Sequence, residues 1–278
     1  MPNISQAKPS QSSRIAHFLE HASLVHRHLD WTPLLDWIDE SPFLLKSEKD
    51  QITGILACPQ DPEMVSWVKC FACARYGIAN DLFVSLISEA RTILARQVDY
   101  IYALGLQNWF ITLLEKNDFR FFQDVVVLTL DNWSPHSTQT NNVFTRPMEL
   151  SDLSAVTNID HQSFEPIWTI SAKGLEAAFV QCAHAAVAEI NGVIVGYELS
   201  TANDFSAHLA RVAVIPDFQH AQIGHQLVHD MIAHFIQKKV TSITVNTQSN
   251  NIASLNLYKK VGFIETGDRF PVFRSPVY

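Results

Sequence analysis

Hydrophobic and polar positions along the second half of the chain predict a series of strands. Two apolar runs, Ala185–Ile190 and Val193–Leu199, flank the dipeptide Asn191-Gly192. Asn-Gly between such runs is the strongest short signal for a β-hairpin, because both residues adopt the positive φ angles of a type I′ turn. The run Leu209–Ile215 predicts the next strand, which Pro216 closes.

A helical period follows these strands. After Gly224, apolar residues recur every three or four positions, which predicts an amphipathic helix with one apolar face. They are Leu227, Val228, Met231, Ile232, Phe235 and Ile236. Ser242–Asn246 alternates as a further strand. Ile252–Val261 predicts a last helix, and Gly262 is placed where it would end that helix.

An opening helix is predicted over Asp152–Phe164, with Ser151 as its cap. The resulting order is helix, hairpin, strand, helix, strand, helix, strand. It predicts an α/β (α+β) fold, in which a mixed sheet carries helices on its faces.

The first half of the chain repeats this pattern at a shift of 142 residues. The repeat pairs Ile52–Leu56 with Ile194–Glu198, Trp67–Ala72 with Leu209–Val214, Val98–Ile101 with Val240–Ile243 and, after two more residues of offset, Leu113–Phe119 with Leu257–Phe263. Chance similarity between two α/β domains is the alternative explanation. Residues 131–142 are polar and turn-rich, which predicts a linker between domains at 1–130 and 143–278.

Composition narrows the class of protein. The 278 residues are 47% apolar and carry a net charge of −8, which argues against a nucleic-acid partner. No run approaches 18 apolar residues, and the first residues lack the apolar stretch of a signal peptide. We therefore expect no membrane partner and a cytoplasmic location.

The four cysteines are too few for a disulfide framework in a chain of this length. Cys70 and Cys73 form a C-x-x-C pair, but they lie in a predicted strand. Alternation directs residues three apart in a strand to opposite faces, so we expect buried thiols and no metal or redox site.

A turn between a predicted strand and a predicted helix is the first candidate binding element. It consists of Gln219, His220, Ala221, Gln222, Ile223 and Gly224. Such a turn presents free backbone N–H groups and the positive end of a helix dipole to an anion. An ordinary strand-to-helix turn is the alternative.

The second element is the helical segment Asn251–Phe263, which holds the phenol of Tyr258 at a fixed place. The turn and this segment, in this order and spacing, resemble the GNAT superfamily of acetyl-CoA-dependent N-acetyltransferases. The resemblance implies two GNAT-like domains in tandem. It also implies that acetyl-CoA binds as cosubstrate in a cleft where two central parallel strands splay apart.

Under this resemblance, the backbone of residues 219–224 and of His225 holds the cofactor pyrophosphate. Gln222 stands where the family usually has glycine. The backbone of Val212, Ala213 and Val214 binds the pantetheine arm and stabilises the oxyanion. Asn251 contacts the cofactor, and Ser254 lines the pantetheine path.

The resemblance also assigns catalytic roles. Tyr258 matches the phenol that protonates the departing thiolate, since a tyrosine keeps its proton at neutral pH. His208 stands where several relatives have a glutamate base, and a neutral imidazole is suitable for that role. Glu198, Glu189 and a water chain are alternatives for the base.

Other residues have weaker assignments. Phe164 and Trp168 fall where relatives line the acceptor pocket, and membership of the core is the alternative. His225, His229 and His234 lie on one predicted helix, where a spacing of four residues can place two histidines on a metal. No third ligand or acidic motif accompanies such a pair, so we expect no metal site.

The first domain lacks the chemistry of the second. Leu114 occupies the position of the catalytic tyrosine, and Asp118 occupies that of the motif glycine. Asp81 brings a carboxylate to the turn that would bind phosphate, which is unfavourable. We therefore expect a degenerate domain that is structural or closes the acceptor side.

The sequence thus predicts an N-acetyltransferase in which a primary amine attacks acetyl-CoA directly within a ternary complex. The acceptor is a small-molecule or peptide amine. The alternative is a non-catalytic GNAT-like module that binds CoA or another protein. Gln222 and the missing glutamate favour that alternative.

Overall fold

The computed structural model describes residues 3–131 and 142–278, and the chain forms two compact units. Unit 1 comprises Met1–Gln123 and Phe270–Tyr278, and unit 2 comprises Asp124–Arg269. Across the described part of the chain, every helix is too short or too polar to cross a membrane.

Unit 1 is built on an antiparallel sheet in the order β1-β3-β4-β6-β2. Strands β5 and β7 pair in parallel, and residues of the last strand of the chain pair antiparallel with β7. The elements are β1 (Asn3–Gln6), α1 (Ser12–His21), β2 (Leu24–Arg27), β3 (Phe43–Glu48), β4 (Gln51–Ala57), β5 (Ser66–Trp67), β6 (Cys70–Cys73), α2 (Ala79–Leu94), β7 (Tyr100–Leu104) and α3 (Asn108–Lys116).

Cys70 and Cys73 lie on opposite faces of β6, as predicted. Both side chains are fully buried, but Cys70 belongs to the core cluster that contains α1 and Cys73 to the cluster that contains α2. Burial raises the pKa of the Cys70 thiol to about 12. Both are free thiols that pack as small apolar side chains.

Unit 2 is built on a mixed sheet in the order β8-β13-β12-β11-β10-β9, in which β12 and β13 run parallel. The elements are β8 (Arg120–Leu130), β9 (Phe144–Pro147), α4 (Leu153–Ser163), α5 (Ala172–Gln181), β10 (His184–Ile190), β11 (Val193–Ala202), β12 (Ser206–Val214), α6 (Ile223–Gln237), β13 (Ser242–Gln248), α7 (Ile252–Val261) and β14 (Ile264–Pro276).

Helices cover both faces of this sheet. Tyr197 and Gly196 are neighbours on β11 and therefore point to opposite faces. Tyr197 reaches Asp160 of α4. A Cβ atom at Gly196 would lie 2.9 Å from the carbonyl oxygen of Ala213 and 3.3 Å from Leu227 of α6. The sheet is thus packed between α4 and α6, as the strand and helix order predicted.

Local signals placed most elements of unit 2 correctly. The turn residues Asn191 and Gly192 have φ angles of 51° and 77°, and Gly262 ends α7 with φ 111°. The prediction that Ser151 caps the opening helix was wrong. Ser151 lies inside a short 3-10 helix, Leu150–Asp152, and the Asp152 carboxylate instead accepts a hydrogen bond from the Glu149 amide.

The division of the chain differs from the predicted boundaries 1–130 and 143–278. Val125–Leu130 pair with β13 in unit 2, whereas Val272–Pro276 pair with β7 in unit 1. A strand belongs to the sheet that satisfies its backbone hydrogen bonds, whatever its place in the sequence. Apart from its two end residues, the predicted linker 131–142 lies outside the described residues.

Candidate active site

The parallel strands at the centre of unit 2 separate part-way along their length. β12 and β13 pair from Ser206/Ser242 to Leu209/Val245, and the pairing then ends, although β12 continues to Val214 and β13 to Gln248. An extra residue in β12, Ala210, interrupts its register with β11 at this point. Such a bulge bends a strand, so the expected splay is present.

The splay leaves one edge of Val212–Val214 without a strand partner. The amide of Ile215 donates to Val195 on β11, 3.0 Å away. Backbone groups alternate between the two edges of a strand, so those of Val214 and Val212 face the splay. The Val214 carbonyl accepts hydrogen bonds from two side chains, from Ser163 Oγ at 3.1 Å and from Gln219 Nε2 at 3.0 Å.

The turn after β12 adopts a strained backbone. His220 has φ 70°, and Gln222, the residue before α6, has φ 61° and ψ 11°. The left-handed region costs a non-glycine residue about 1–2 kcal/mol. The side chains of residues 219–222 are exposed. The turn therefore has the conformation that glycine favours at the position where the family has glycine.

The N-terminus of α6 presents its first amides without a side-chain cap. The first hydrogen bond within the helix runs from the Gln226 amide to the Gln222 carbonyl, and the first turn contains no acidic residue. The amides of Ile223, Gly224 and His225 precede that bond, and unpaired amides at a helix N-terminus are able to bind an anion.

Gly224 lies where this helix end meets α7. A Cβ atom there would lie 3.4 Å from Leu257 of α7 and 3.7 Å from Val214. These are ordinary contacts, so internal packing alone does not require glycine. Its bare backbone leaves a cradle over the amides, which fits the close approach of a phosphate group.

The side chain of His225 turns into the protein. It is 9% exposed and its ring lies 4.4 Å from that of His229. Burial, followed by the nearby His229 and Lys260, lowers the pKa of His225. The expected contribution of His225 to cofactor binding is therefore restricted to its amide.

Asn251 and Ser254 organise the start of α7. Asn251 Oδ1 accepts a hydrogen bond from the Ser254 amide (3.1 Å), and Asn251 Nδ2 donates to Gln248 Oε1 (3.3 Å). Asn251 thus caps the helix, and Ser254 bonds the Tyr258 side chain. Both residues lie in the predicted segment, but their side chains hold the helix.

Tyr258 is held almost fully inside unit 2. It is 4% exposed and packs against Phe263 with ring centroids 5.8 Å apart. Burial raises the pKa of the Tyr258 phenol to about 12, against smaller lowering effects of the Ser254 hydrogen bond and the Arg211 charge. The phenol therefore carries its proton throughout the neutral range.

His208 is the candidate base that the structure leaves available. Its Nδ1 lies 2.9 Å from Thr244 Oγ1 on β13, and burial lowers its pKa. Glu198 is fully buried, with its oxygens bonded to His184 and Ser200. Glu189 forms an ion pair with Arg146 at 2.7 Å. The carboxylates of both glutamates are therefore already engaged by side chains of unit 2.

A buried polar cluster near this site has no counterpart in the sequence prediction. Asp160 of α4 is 0% exposed and accepts hydrogen bonds from Tyr197 and Arg211. Arg211 directly precedes the tripeptide Val212–Val214. A charged residue inside a predicted strand was the available signal, but its partner lies 51 residues away in the chain.

Phe164 and Trp168 both contact this cluster. The guanidinium of Arg211 lies over the Phe164 ring, 3.5 Å from its centroid, and its NH2 group donates to the Trp168 carbonyl at 2.6 Å. Both aromatic residues are half-buried.

Side chains able to hold a metal lie outside this site. His17, Glu20 and His21 of α1 are exposed, and one ligand atom from each lies within 4.8 Å of the others. They project from the surface of unit 1, and none of them belongs to the residues around the splay.

Comparison with known proteins identifies the domain that carries these features. The model of the Acetyltransferase (GNAT) family matches residues 153–263, which run from the start of α4 to the second residue after α7. Unit 2 carries a GNAT-family acetyltransferase domain. An uncharacterized N-acetyltransferase, ycf52, of Pyropia yezoensis is 31% identical over 81 residues, or 29% of this chain and 45% of that protein. The chain spans less than half the length of the curated relatives it matches.

Solved structures extend the likeness to the whole chain. A tandem GNAT protein from the clavulanic acid biosynthesis pathway matches 100% of this chain and 99% of its own, with TM-score 0.67 and 11% identity. A probable N-acyltransferase of Enterococcus faecalis V583 matches 100% of this chain and 73% of its own, with TM-score 0.73 and 8% identity. At these identities the likeness shows the fold, which is two GNAT-like domains in tandem.

In the GNAT-like domain of unit 1, the corresponding strand edge is occupied. β6 corresponds to Val212–Ile215 at the shift of 142 residues. β6 pairs with β4 along one edge and with β2 along the other, where Leu24 faces Cys73 and Arg27 faces Cys70. The groove that stays open beside β12 is therefore filled in unit 1 by its own strand.

Replacing Gln222 with glycine tests the strain in the turn. Gln222→Gly should raise the free energy of unfolding of unit 2 by about 0.5–1 kcal/mol, because relief of the left-handed backbone exceeds the entropy cost of glycine. The measurement is the thermal unfolding midpoint, which should rise by about 2 °C. Ala221→Gly is the control, because Ala221 lies outside the left-handed region, and it should lower the midpoint. A fall in both variants would contradict the strain.

Proposed function

We propose that this protein is an N-acetyltransferase that transfers the acetyl group of acetyl-CoA to a primary amine, by direct attack within a ternary complex. One observation carries the proposal. The open edge of β12 leads directly to the uncapped N-terminus of α6, beside the helix that holds Tyr258. The family match to residues 153–263 supports the same reaction class.

The residues around the splay fit acetyl-CoA. The first amides of α6, at Ile223, Gly224 and His225, would hold the pyrophosphate, and the Gly224 cradle admits it. The backbone of Val212–Val214 would hold the pantetheine arm along the open edge. Gln219 must then share or release the Val214 carbonyl that it bonds.

Two side chains would carry out the acid–base chemistry: neutral His208 accepts a proton, and protonated Tyr258 donates one. An amine with a pKa near 10 is protonated at neutral pH, so a base must take its proton before attack. His208 is neutral there and serves as that base, directly or through water. The thioester supplies the activated acetyl group, the backbone of Val212 stabilises the oxyanion, and Tyr258 gives its proton to the thiolate.

The proposal places one working site in each chain, in unit 2. Unit 1 is degenerate on this view, because β2 fills the edge of β6 and Asp81 lies in the first turn of α2. We further propose a cytoplasmic protein, which the free cysteines Cys58, Cys70, Cys73 and Cys182 support. A small-molecule or peptide amine is the acceptor.

A non-catalytic module that binds CoA or another protein is the second candidate. The strained Gln222 at the glycine position and the engagement of His208 with Thr244 favour it. The two candidates differ in turnover of any amine.

Calorimetric titration with acetyl-CoA tests the site. We expect one molecule bound per chain, and at least 100-fold weaker binding by Gly224→Glu, or about 2.7 kcal/mol, because a carboxylate would fill the cradle and repel phosphate. Gly77→Glu is the matched control. It makes the same change in the corresponding turn of unit 1, with open space around it, and should leave binding unchanged. Two sites would overturn the degenerate role of unit 1, and absence of binding would overturn the acetyltransferase proposal.

The pH dependence of kcat/KM tests the base. Because burial lowers the pKa of His208, the base loses activity only as pH falls through a value below about 6.5. Tyr258, with a pKa of about 12, adds no alkaline limb below about pH 10. His208→Ala should abolish the acidic limb, whereas His234→Ala at the far end of α6 should retain it. An unchanged limb in His208→Ala would remove His208 from the mechanism.

Removal of the Tyr258 hydroxyl tests whether Tyr258 is the general acid. Tyr258→Phe should reduce kcat by about 10²–10⁴, the usual contribution of a positioned proton donor. Acetyl-CoA affinity should stay within about threefold, because the ring and its packing are retained. Steady-state kinetics and calorimetry give the two values. Turnover at the wild-type rate would mean that another group protonates the thiolate.

A further inference from the structure

One fully buried carboxylate joins three elements of unit 2. Asp160 Oδ2 accepts hydrogen bonds from the Tyr197 hydroxyl (2.5 Å) and from Arg211 Nε (2.8 Å), and Asp160 Oδ1 accepts one from the Ile170 amide (2.8 Å). Tyr197 and Arg211 come from β11 and β12. Ile170 lies in the α4–α5 segment, which we define as residues 164–171.

Arg211 uses both its planar face and its edge to hold this segment. Its Nε and NH2 groups reach Asp160, at 2.8 and 2.6 Å, and NH2 also donates to the Trp168 carbonyl at 2.6 Å. Its flat face lies on the Phe164 ring. Arg211 is 12% exposed. Two points of the α4–α5 segment are thus attached to one side chain of β12.

The α4–α5 segment borders the open strand edge. Ser163, the last residue of α4, donates a hydrogen bond to the Val214 carbonyl, which faces the splay. Arg211 immediately precedes Val212–Val214 and follows the bulge at Ala210. A ligand on this edge therefore has the segment beside it, and Arg211 sets the distance between the two.

Burial of an ion pair is an expensive way to hold a segment in place. Removal of a carboxylate and a guanidinium from water costs several kcal/mol per ion unless every hydrogen bond is made, and apolar side chains often stabilise as well. Here the Asp160 carboxylate accepts hydrogen bonds from three residues. The Arg211 guanidinium also donates to the Trp168 carbonyl and lies over the Phe164 ring. Such a fully bonded pair fixes geometry more than it adds stability.

We propose that Arg211 is a positioning residue that holds the α4–α5 segment against β12 as one wall of the amine site. The inference rests on the proposed function. Arg211 acts through the segment and not by contact with the reacting atoms. Its positive charge offsets a small part of the rise that burial causes in the pKa of Tyr258.

Arg211→Lys separates this role from charge alone. Lysine keeps the positive charge but lacks the planar fork and the flat face. Lys69→Arg is the matched control, because Lys69 occupies the equivalent position of unit 1 at the shift of 142 and forms a buried ion pair with Asp30 at 2.6 Å.

The first measurement is hydrogen–deuterium exchange without substrate, read on peptides that cover residues 164–171. We expect exchange at least tenfold faster in Arg211→Lys, with peptides of α6 and α7 unchanged, and wild-type exchange in Lys69→Arg. Phe164→Leu is a second variant. It removes the ring under the guanidinium and keeps the ion pair, so it should accelerate the same peptides to a smaller extent. Wild-type exchange in both Arg211→Lys and Phe164→Leu would overturn the inference.

The second measurement is steady-state kinetics with the amine that the wild-type protein acetylates fastest among spermidine, glucosamine, kanamycin and an alanyl dipeptide. In Arg211→Lys the amine KM should rise at least tenfold, while kcat and the Kd of acetyl-CoA stay within threefold. A fall in kcat with unchanged KM would overturn the positioning role. Wild-type protein that binds no acetyl-CoA would remove the proposed function and this inference with it, whereas wild-type turnover with an unaltered KM in Arg211→Lys would remove the inference alone.

Discussion

The end of the pairing between β12 and β13 is the constraint on which the candidate site depends. Backbone N–H and C=O groups need partners wherever they are buried. When the parallel ladder stops at Leu209 and Val245, the edge of Val212–Val214 must find partners elsewhere. Ser163 and Gln219 donate hydrogen bonds to the Val214 carbonyl. In the corresponding place of unit 1, β2 pairs with β6 along the whole edge. The same backbone requirement is therefore met in two ways in one chain, and only in unit 2 does this strand edge stay without a neighbouring strand among the described residues.

The two helices beside the splay differ at their N-termini, because α7 has a side-chain cap and α6 has none. Asn251 caps the start of α7 and Gly262 ends it, so the Tyr258 phenol has little freedom. α6 begins with a residue in the left-handed region and lacks a side-chain cap, which leaves its first amides available. Strain and missing caps are unfavourable for stability. Their occurrence at the end of the open edge is what separates this turn from an ordinary connection.

Asp160 on α4 and Glu198 on β11 are both fully buried carboxylates, but they have different partners. Asp160 balances the permanent charge of Arg211 next to the splay. Glu198 is bonded to His184 and Ser200, and burial raises its pKa. A glutamate held in this way does not present a free carboxylate to an amine. Burial lowers the pKa of His208 and so favours its neutral form, which is the form that the proposed base requires.

The sequence by itself determined features whose cause is local. Asn191-Gly192 specified the hairpin and Gly262 the end of α7, because these residues adopt backbone angles that others avoid. Alternation alone placed Cys70 and Cys73 on opposite faces, and the spacing of the turn and Tyr258 pointed to the family. The 142-residue repeat anticipated two similar domains.

Tertiary structure alone decided which groups become partners. Val125–Leu130 pair with β13 in unit 2 and Val272–Pro276 pair with β7 in unit 1, and no local pattern in the sequence specifies which sheet completes the hydrogen bonds of either segment. The pairing of Asp160 with Arg211, the bonding of Glu198 to His184 and Ser200, and the pairing of β2 with β6 have the same origin. Backbone edges and buried charges must be satisfied, and the residue that satisfies them is chosen by proximity in the folded chain and not by position in the sequence.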